Sequence, residues 1–262
     1  MNEPSATSPA RSWADALLGF FYPEACQICH TARATPAEGY VCAACWQGVR
    51  FIKPPFCDRC GLPYPGDITT VFECGNCRGV KHHFRSARSA VAAEGVVLEV
   101  IHQYKYQRAL WFEPFLADLL IRAAKPELQP EPWDLVVPIP LHPVKQRERE
   151  FNQAERLGHQ LAAALGITLR ADLVERVRPT VSQTRLDRTE RAENVLRAFA
   201  PRPGARLQGE NVILLDDVFT TGATTNACAR VLHALGAAEV TVWTLARGLA
   251  GPKLSFELPP DS

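Results

Sequence analysis

A chain of 262 residues, 47% hydrophobic and 22% charged, is globular material long enough for one sizeable core plus a smaller module, and this excludes a disordered protein. With 29 Lys and Arg against 28 Asp and Glu, the formal net charge of +1 excludes a globally basic nucleic-acid coat, so partners must be argued from local features. No apolar run approaches the ~20 residues that cross a bilayer, so no membrane span and a cytoplasmic location are expected.

The first element is "SWADALLGFFYP", within residues 1–22. It lacks the charged start, apolar middle and small-residue cleavage site of a secretory signal and reads as a short amphipathic helix. Four Cys-x-x-Cys pairs follow: Cys26/Cys29, Cys42/Cys45, Cys57/Cys60 and Cys74/Cys77. The first two are 12 residues apart and the last two 13, so a knuckle, loop, knuckle pattern occurs twice, which is the spacing of a zinc ribbon. Zinc accepts four thiolates tetrahedrally, and a closed four-thiolate site leaves no position for substrate. Two structural zinc ions are therefore expected, stabilising a module over residues 23–83 that is too small for its own core. A disulfide cluster fits poorly without a sign of secretion. Cross-braced pairing, first with third and second with fourth, remains open. His30, His82 and His83 read as surface residues, and Cys228 as a small buried residue of a helix.

Beyond the cysteines, "FRSARSA" reads as a strand, and a helix starts near Glu94 or Gly95 with Val96, Val97, Val100, Ile101 and Tyr104 at helical spacing. At the same spacing Tyr106 and Trp111 are expected in the core with Tyr104. "WFEPFLADLLIRAAK" is a second amphipathic helix, ended by Pro126, Pro130 and Pro132. "WDLVVPIPL" is a short buried strand, "LHPVKQRERE" a loop after it, "FNQAERLGHQLAAALGI" a helix and "DLVERV" a short strand. A charged segment from Arg178 to Arg197 precedes the strand "NVILLDDV", the helix "TTNACARVLHALGA" and the strand "EVTVWTLARG". This alternation predicts βαβ units and a parallel sheet, in which ligands bind beyond the carboxyl ends of the strands.

Asp216 and Asp217 fall at such an end, directly before "VFTTGATT". A Gly lets backbone approach a ligand, the hydroxyls donate, and the following helix offers free N–H groups to an anion. Neither a P-loop nor a dinucleotide fingerprint is present. Carboxylates repel phosphate but accept hydrogen bonds from a vicinal diol, so a ribose 5-phosphate suits the pair. Simple helix capping accounts for one acid and one Thr and leaves the second acid unexplained.

"VILLDDVFTTGAT" resembles the phosphoribosyl pyrophosphate (PRPP) loop of type I phosphoribosyltransferases. The whole chain resembles the ComF family of competence-associated proteins, from "FYPEACQIC" through "QYKY", "VPIPLHPVKQREREFNQAERLG" and "RPTVSQTRLDRTERAENVLRAF" to the acidic loop. The resemblance implies an α/β fold with a type I phosphoribosyltransferase-like parallel sheet flanked by helices over residues 84–250. A small N-terminal double zinc ribbon would precede it, and a tail over residues 251–262 would follow. It implies that Asp216 and Asp217 hold the ribose hydroxyls while Thr220, Thr221, Gly222, Ala223 and Thr224 surround the 5-phosphate. Lys105, Lys145, Arg147 and Arg149 would meet the ligand's charge, and Arg185, in the charged loop with Gln183, Arg188, Arg191 and Asn194, would act as the loop closes over the reaction. Glu150 departs from the family's usual Gly, adding negative charge and removing backbone freedom.

The implied reaction displaces pyrophosphate from the anomeric carbon of PRPP by a nitrogen nucleophile, with Mg2+ carried on the ligand and charge stabilisation as the main contribution. No catalytic His is named, although His142 lies near the pyrophosphate loop. The segment from Phe84 to Trp111 is expected to form a hood over the nucleophile and carries no recognisable base-reading motif. The alternative is a non-catalytic nucleotide or single-stranded-DNA-binding protein of DNA uptake, with single-stranded DNA or competence proteins as partners.

Overall fold

The computed structural model describes residues 24–66, 70–129, 131–178 and 197–249. The expected N-terminal helix, Pro130, most of the charged loop with Arg185, and the C-terminal tail lie outside the described residues.

Five parallel strands form the sheet in the order β1-β7-β6-β2-β3: β1 (Ala87–Ala92), β7 (Glu239–Arg247), β6 (Asn211–Phe219), β2 (Leu135–Pro138) and β3 (Thr168–Leu169). Both faces are covered, so the strands read as near-continuous apolar runs whose side chains alternate between two cores. Val136, Ile213, Leu215 and Trp243 face a core shared with α2 (Gly95–Tyr106), α3 (Glu113–Leu128) and α5 (Gln153–Leu165). Leu135, Val137, Val212, Leu214 and Val242 face the other, shared with α6 (Ala223–Leu235) and the second cysteine group. The "DLVERV" strand, β4 (Val174–Arg176), stands outside the sheet and pairs antiparallel with β5 (Phe199–Pro201), a strand that sequence pattern did not reveal.

The two cysteine groups flank the edge of the sheet at β1. Trp46 from the first, in the short α1 (Ala43–Gln47), meets Phe115 of α3 edge to face at 5.7 Å. Between the groups, residues 50–52 run antiparallel beside β1: Phe51 bridges Val91, Ile52 N donates to Ala90 O at 3.0 Å, and Ala92 N donates to Arg50 O at 2.9 Å.

Four expectations are corrected. Pro126 does not end its helix, which continues to Leu128; the stripe that buries Ala124 and Leu128 outweighs one lost backbone bond near the terminus. "LHPVKQRERE" is not a loop: α4 (Pro143–Arg149) starts with Pro143 in its first turn and Nδ1 of His142 accepting Val144 N at 3.3 Å, and its remaining residues are mostly good helix formers. Tyr104 is buried with Val97, Val100 and Ile101, but Tyr106, two positions further along the helix and so on its other side, is 63% exposed, and Trp111, beyond the helix end in the 3-10 turn Leu110–Phe112, is 45% exposed. His30 is exposed as expected, whereas His82 and His83 are half-buried and their pKa values are pulled down by burial, the His82 ring lying 4.9 Å from that of Phe84.

Candidate functional site

β6 is the central strand, and its carboxyl end lies beside that of β2, with Leu215 opposite Pro138. Asp216 and Asp217 follow Leu215 while still paired to β7, Asp216 opposite Thr244, so sheet hydrogen bonds fix their backbone. The apolar run Val212–Leu215 anchors the strand, and the acids emerge half-buried where it leaves the core. Asp217 N donates to Asp216 Oδ1 at 2.9 Å. Burial, and then the neighbouring Asp217 charge, push the Asp216 carboxyl up to about 7, opposed by Lys105 and Arg176.

Lys105 reaches this pair from the last turn of α2. Its Nζ lies 2.7 Å from Asp217 Oδ2, with the side chains only 15% and 16% exposed. The segment Phe84–Trp111, expected to form the hood, supplies the edge strand β1, buried along most of its length, and the helix that delivers Lys105 to the acids. Sequence reasoning did not single out Arg176, which ends β4 with its guanidinium 5.4 Å from the Phe199 ring. Burial lowers its pKa, and the Asp216 charge acts in the opposite direction.

Beyond the acids the chain turns through Thr220 and Thr221, both exposed, and Gly222, left-handed at φ 78°. A side chain at Gly222 would be strained in that conformation, and its Cβ would lie 2.6 Å from Cζ of Phe219. Ala223 and Thr224 open α6; Gly222 at its N-cap has no side chain to offer, Ala223 N donates to Thr221 Oγ1 at 3.4 Å, and Thr225 Oγ1 donates back to Gly222 O at 2.9 Å and fixes the turn. The N–H groups that follow in the first turn have no partner within the helix ladder and suit an anion beside the Thr hydroxyls.

After β2, Asn152 donates from Nδ2 to Ile139 O at 3.0 Å and caps α5 through Oδ1, holding α4 between two pinned points. Lys145 and Arg147 on α4 are exposed and form no ion pair among the described residues. Arg149 turns inward, its guanidinium 5.1 Å from the Tyr106 ring and Nη1 3.2 Å from Gln153 Oε1. Glu150 occupies the left-handed region at φ 65°, where glycine is favoured, and its carboxylate is taken up by Arg108 at 2.9 Å. His142 acts as a helix cap.

The cysteine groups are sequential, Cys26 with Cys29, Cys42 and Cys45, and Cys57 with Cys60, Cys74 and Cys77, so cross-bracing does not occur. Cys26–Cys45 and Cys29–Cys42 sulfurs are 3.7 Å apart, Cys57–Cys77 3.9 Å and Cys60–Cys74 3.7 Å. Thiolates ~2.3 Å from a tetrahedral zinc define edges of about 3.8 Å, so both groups fit the ion as they stand. Backbone N–H groups of Cys42 and Cys74 point at Cys26 and Cys57 sulfurs at 3.4 and 3.3 Å, as charged thiolates require. These are two structural zinc-ribbon sites.

The double zinc ribbon domain family matches residues 17–78, and the phosphoribosyl transferase domain family matches residues 152–257. Competence protein F of Haemophilus influenzae is 31% identical over 219 residues, covering 80% of this chain and 92% of that protein. DNA utilization protein YhgH of Salmonella typhi is 32% identical over 87% of this chain and 98% of that protein. Competence protein ComFC of Bacillus subtilis is 29% identical over 79% of this chain and 84% of that protein. A double zinc ribbon joined to a phosphoribosyltransferase-type domain, with such relatives along most of its length, makes this chain a member of the ComF family.

Proposed function

We propose that the chain binds PRPP at the β6–α6 turn and transfers its phosphoribosyl group to a nitrogen nucleophile. The observation that carries this reading is a half-buried acid pair on the central parallel strand, followed through the Thr220–Thr221 turn by a helix start on a left-handed Gly222. Asp216 and Asp217 accept the two ribose hydroxyls, and Thr220, Thr221, Gly222, Ala223 and Thr224 surround the 5-phosphate. Lys105 balances the Asp217 charge in the free protein, and Lys145, Arg147 and Arg149 neutralise the diphosphate from α4. In the transfer, the C–N bond to the anomeric carbon forms, the C–O bond to the diphosphate breaks, and the nucleophile's proton goes to solvent or to the departing diphosphate. Asp216 and Asp217 are hard oxygen donors that suit Mg2+ carried on the ligand, where it supplies charge neutralisation at the leaving group. A catalytic role for Arg185, outside the described residues, is part of the same proposal.

Calorimetry with Mg-PRPP tests the binding. Asp217→Ala should weaken it at least about tenfold, since a lost acceptor leaves the diol unpaired, and Asp217→Asn separates charge from shape. Pyrophosphate release across a panel of bases, ammonia and amines tests the chemistry. No binding of PRPP or ribose 5-phosphate at millimolar ligand would return the acids to a capping role.

A second reading, non-catalytic binding of a nucleotide or single-stranded DNA, is favoured by the exposed Tyr106 and Trp111, with Arg149 against Tyr106 beside the same site, and by relatives named for competence and DNA utilization. Exposed rings beside cations stack bases without sequence preference. Oligonucleotide binding that weakens with salt and is lost in Trp111→Ala supports it; PRPP binding without pyrophosphate release also favours it over transfer.

A further inference from the structure

We propose that Arg247 is a positioning residue that couples the second zinc-ribbon site to the phosphate turn, so that zinc at Cys57, Cys60, Cys74 and Cys77 and an anion at the turn favour each other. The coupling to ligand rests on the ribose 5-phosphate reading of that turn.

Arg247 ends β7 and is only 4% exposed. Its Nη1 donates to Cys60 O and its Nη2 to Cys60 Sγ at 3.4 Å, while Nε has no hydrogen-bond partner. The other face of the guanidinium lies 4.8 Å from the centroid of Phe219, the residue opposite it on β6. Gly222 rests on that same ring, at the distance that leaves no room for a side chain. Gly248 N, next in the chain, donates to Phe219 O at 2.9 Å. A second link runs parallel: Asn226, in the first turn of α6, accepts His83 N at 2.6 Å and donates to Lys81 O at 3.1 Å, just beyond Cys77.

A divalent ion with four thiolates is a dianion, and Arg247 is the buried cation touching it. When the metal leaves, Cys60 is no longer held at a fixed vertex, and the carbonyl and sulfur that position the guanidinium are released with it. A buried cation whose partners are no longer held in place is in an unfavourable state. It must shift toward water, and Phe219 loses the cation that covers it just where the ring supports Gly222. The first zinc-ribbon site has no such contact among the described residues: Trp46 beside it packs on α3. Because coupling is reciprocal, an anion that orders the turn must also retain the second zinc.

The test uses the full-length zinc-loaded protein. Two quantities are read: zinc transfer to a chromophoric chelator with and without saturating ribose 5-phosphate, and amide hydrogen exchange across residues 219–226. At equilibrium with the chelator, ribose 5-phosphate should raise the affinity for one of the two zinc ions about fivefold or more. Arg247→Met and Phe219→Leu should abolish this protection while Arg247→Lys restores part of it, a pattern that a packing role alone does not produce. Cys74→Ser, which removes the second site without touching the Arg247 contact, should speed exchange across the turn, and Cys42→Ser should not. Should Arg247→Met fail to fold, Arg247→Lys and Phe219→Leu decide the matter. Ligand bound by calorimetry with zinc affinity unchanged overturns the proposal, as does an unchanged turn in Cys74→Ser. Exchange that responds to Cys74→Ser in a protein that binds no ribose 5-phosphate leaves the coupling standing and removes the ligand reading instead.

Discussion

Lys105 and Asp217 are joined across 2.7 Å with five-sixths of each side chain out of water. Their gross attraction at an effective dielectric near 20 is about 6 kcal/mol, and the loss of hydration at both charges offsets most of it, leaving about 1–3 kcal/mol of net coupling. Lys105→Met keeps the stem and removes the ammonium; Asp217→Asn keeps the shape and removes the charge. Each should lower stability by about 2 kcal/mol, because each leaves one half-buried charge without its partner, and the double variant should be more stable than their sum by about 1–3 kcal/mol. Urea unfolding of the ligand-free protein measures this from the midpoint shift, provided the slope is unchanged. Additive losses, within about 0.5 kcal/mol, would mean that α2 is not anchored to the acids in solution and that Lys105 is not the acids' resident counter-charge.

Elemental analysis should find two zinc ions per chain, and Cys42→Ser and Cys74→Ser should each lose one while the other ribbon keeps its metal. Glu150→Gly should be more stable than Glu150→Ala by about 1 kcal/mol in thermal unfolding, since both variants lose the exposed Arg108 pair but only glycine relieves the left-handed backbone. Ribose 5-phosphate affinity should rise as pH passes through about 7, because deprotonated Asp216 accepts from the diol and its protonated form gives up an acceptor. The charged groups acting on Asp216 are Asp217, Lys105 and Arg176, and the ligand's own phosphate titrates nearby, so Asp216→Asn is the control that must flatten the protein's share of the profile. Without ligand the sign reverses: the raised pKa of Asp216 adds stability that is complete below the ordinary carboxylate range and gone above about 7.

Local chemistry was readable in the chain. The cysteine spacing announced both ribbons because two thiols must turn toward one ion within four residues, and the acids, Thr and Gly announced themselves because a strand end and a helix start are adjacent in sequence. Pairing across distance was not readable. Lys105 meets Asp217 from 112 positions away, through the packing of α2 on the sheet, and nothing in "QYKY" itself specifies that partner. Arg176 and Arg247 each close a strand whose pattern does not name the partner of its last residue; which anion or ring waits beside a buried guanidinium is decided by β5, β6 and the second ribbon. The helix Pro143–Arg149 was hidden for another reason: exposed on nearly every side, it has no apolar stripe, so periodicity had nothing to find.

The antiparallel contact of residues 50–52 with β1 has a consequence for how the two modules can be parted. A parallel sheet ends on each side in a row of unpaired peptide groups that will accept a strand from any neighbouring molecule. Here the Ala90, Val91 and Ala92 row is occupied by the link between the two ribbons, with Arg50 and Glu94 paired at 2.8 Å beside it. A version of the protein cut down to the sheet and its helices would bare that apolar rim and should self-associate on expression, however well its own core is packed. The link between the ribbons thus covers an edge that would otherwise template strand pairing between molecules.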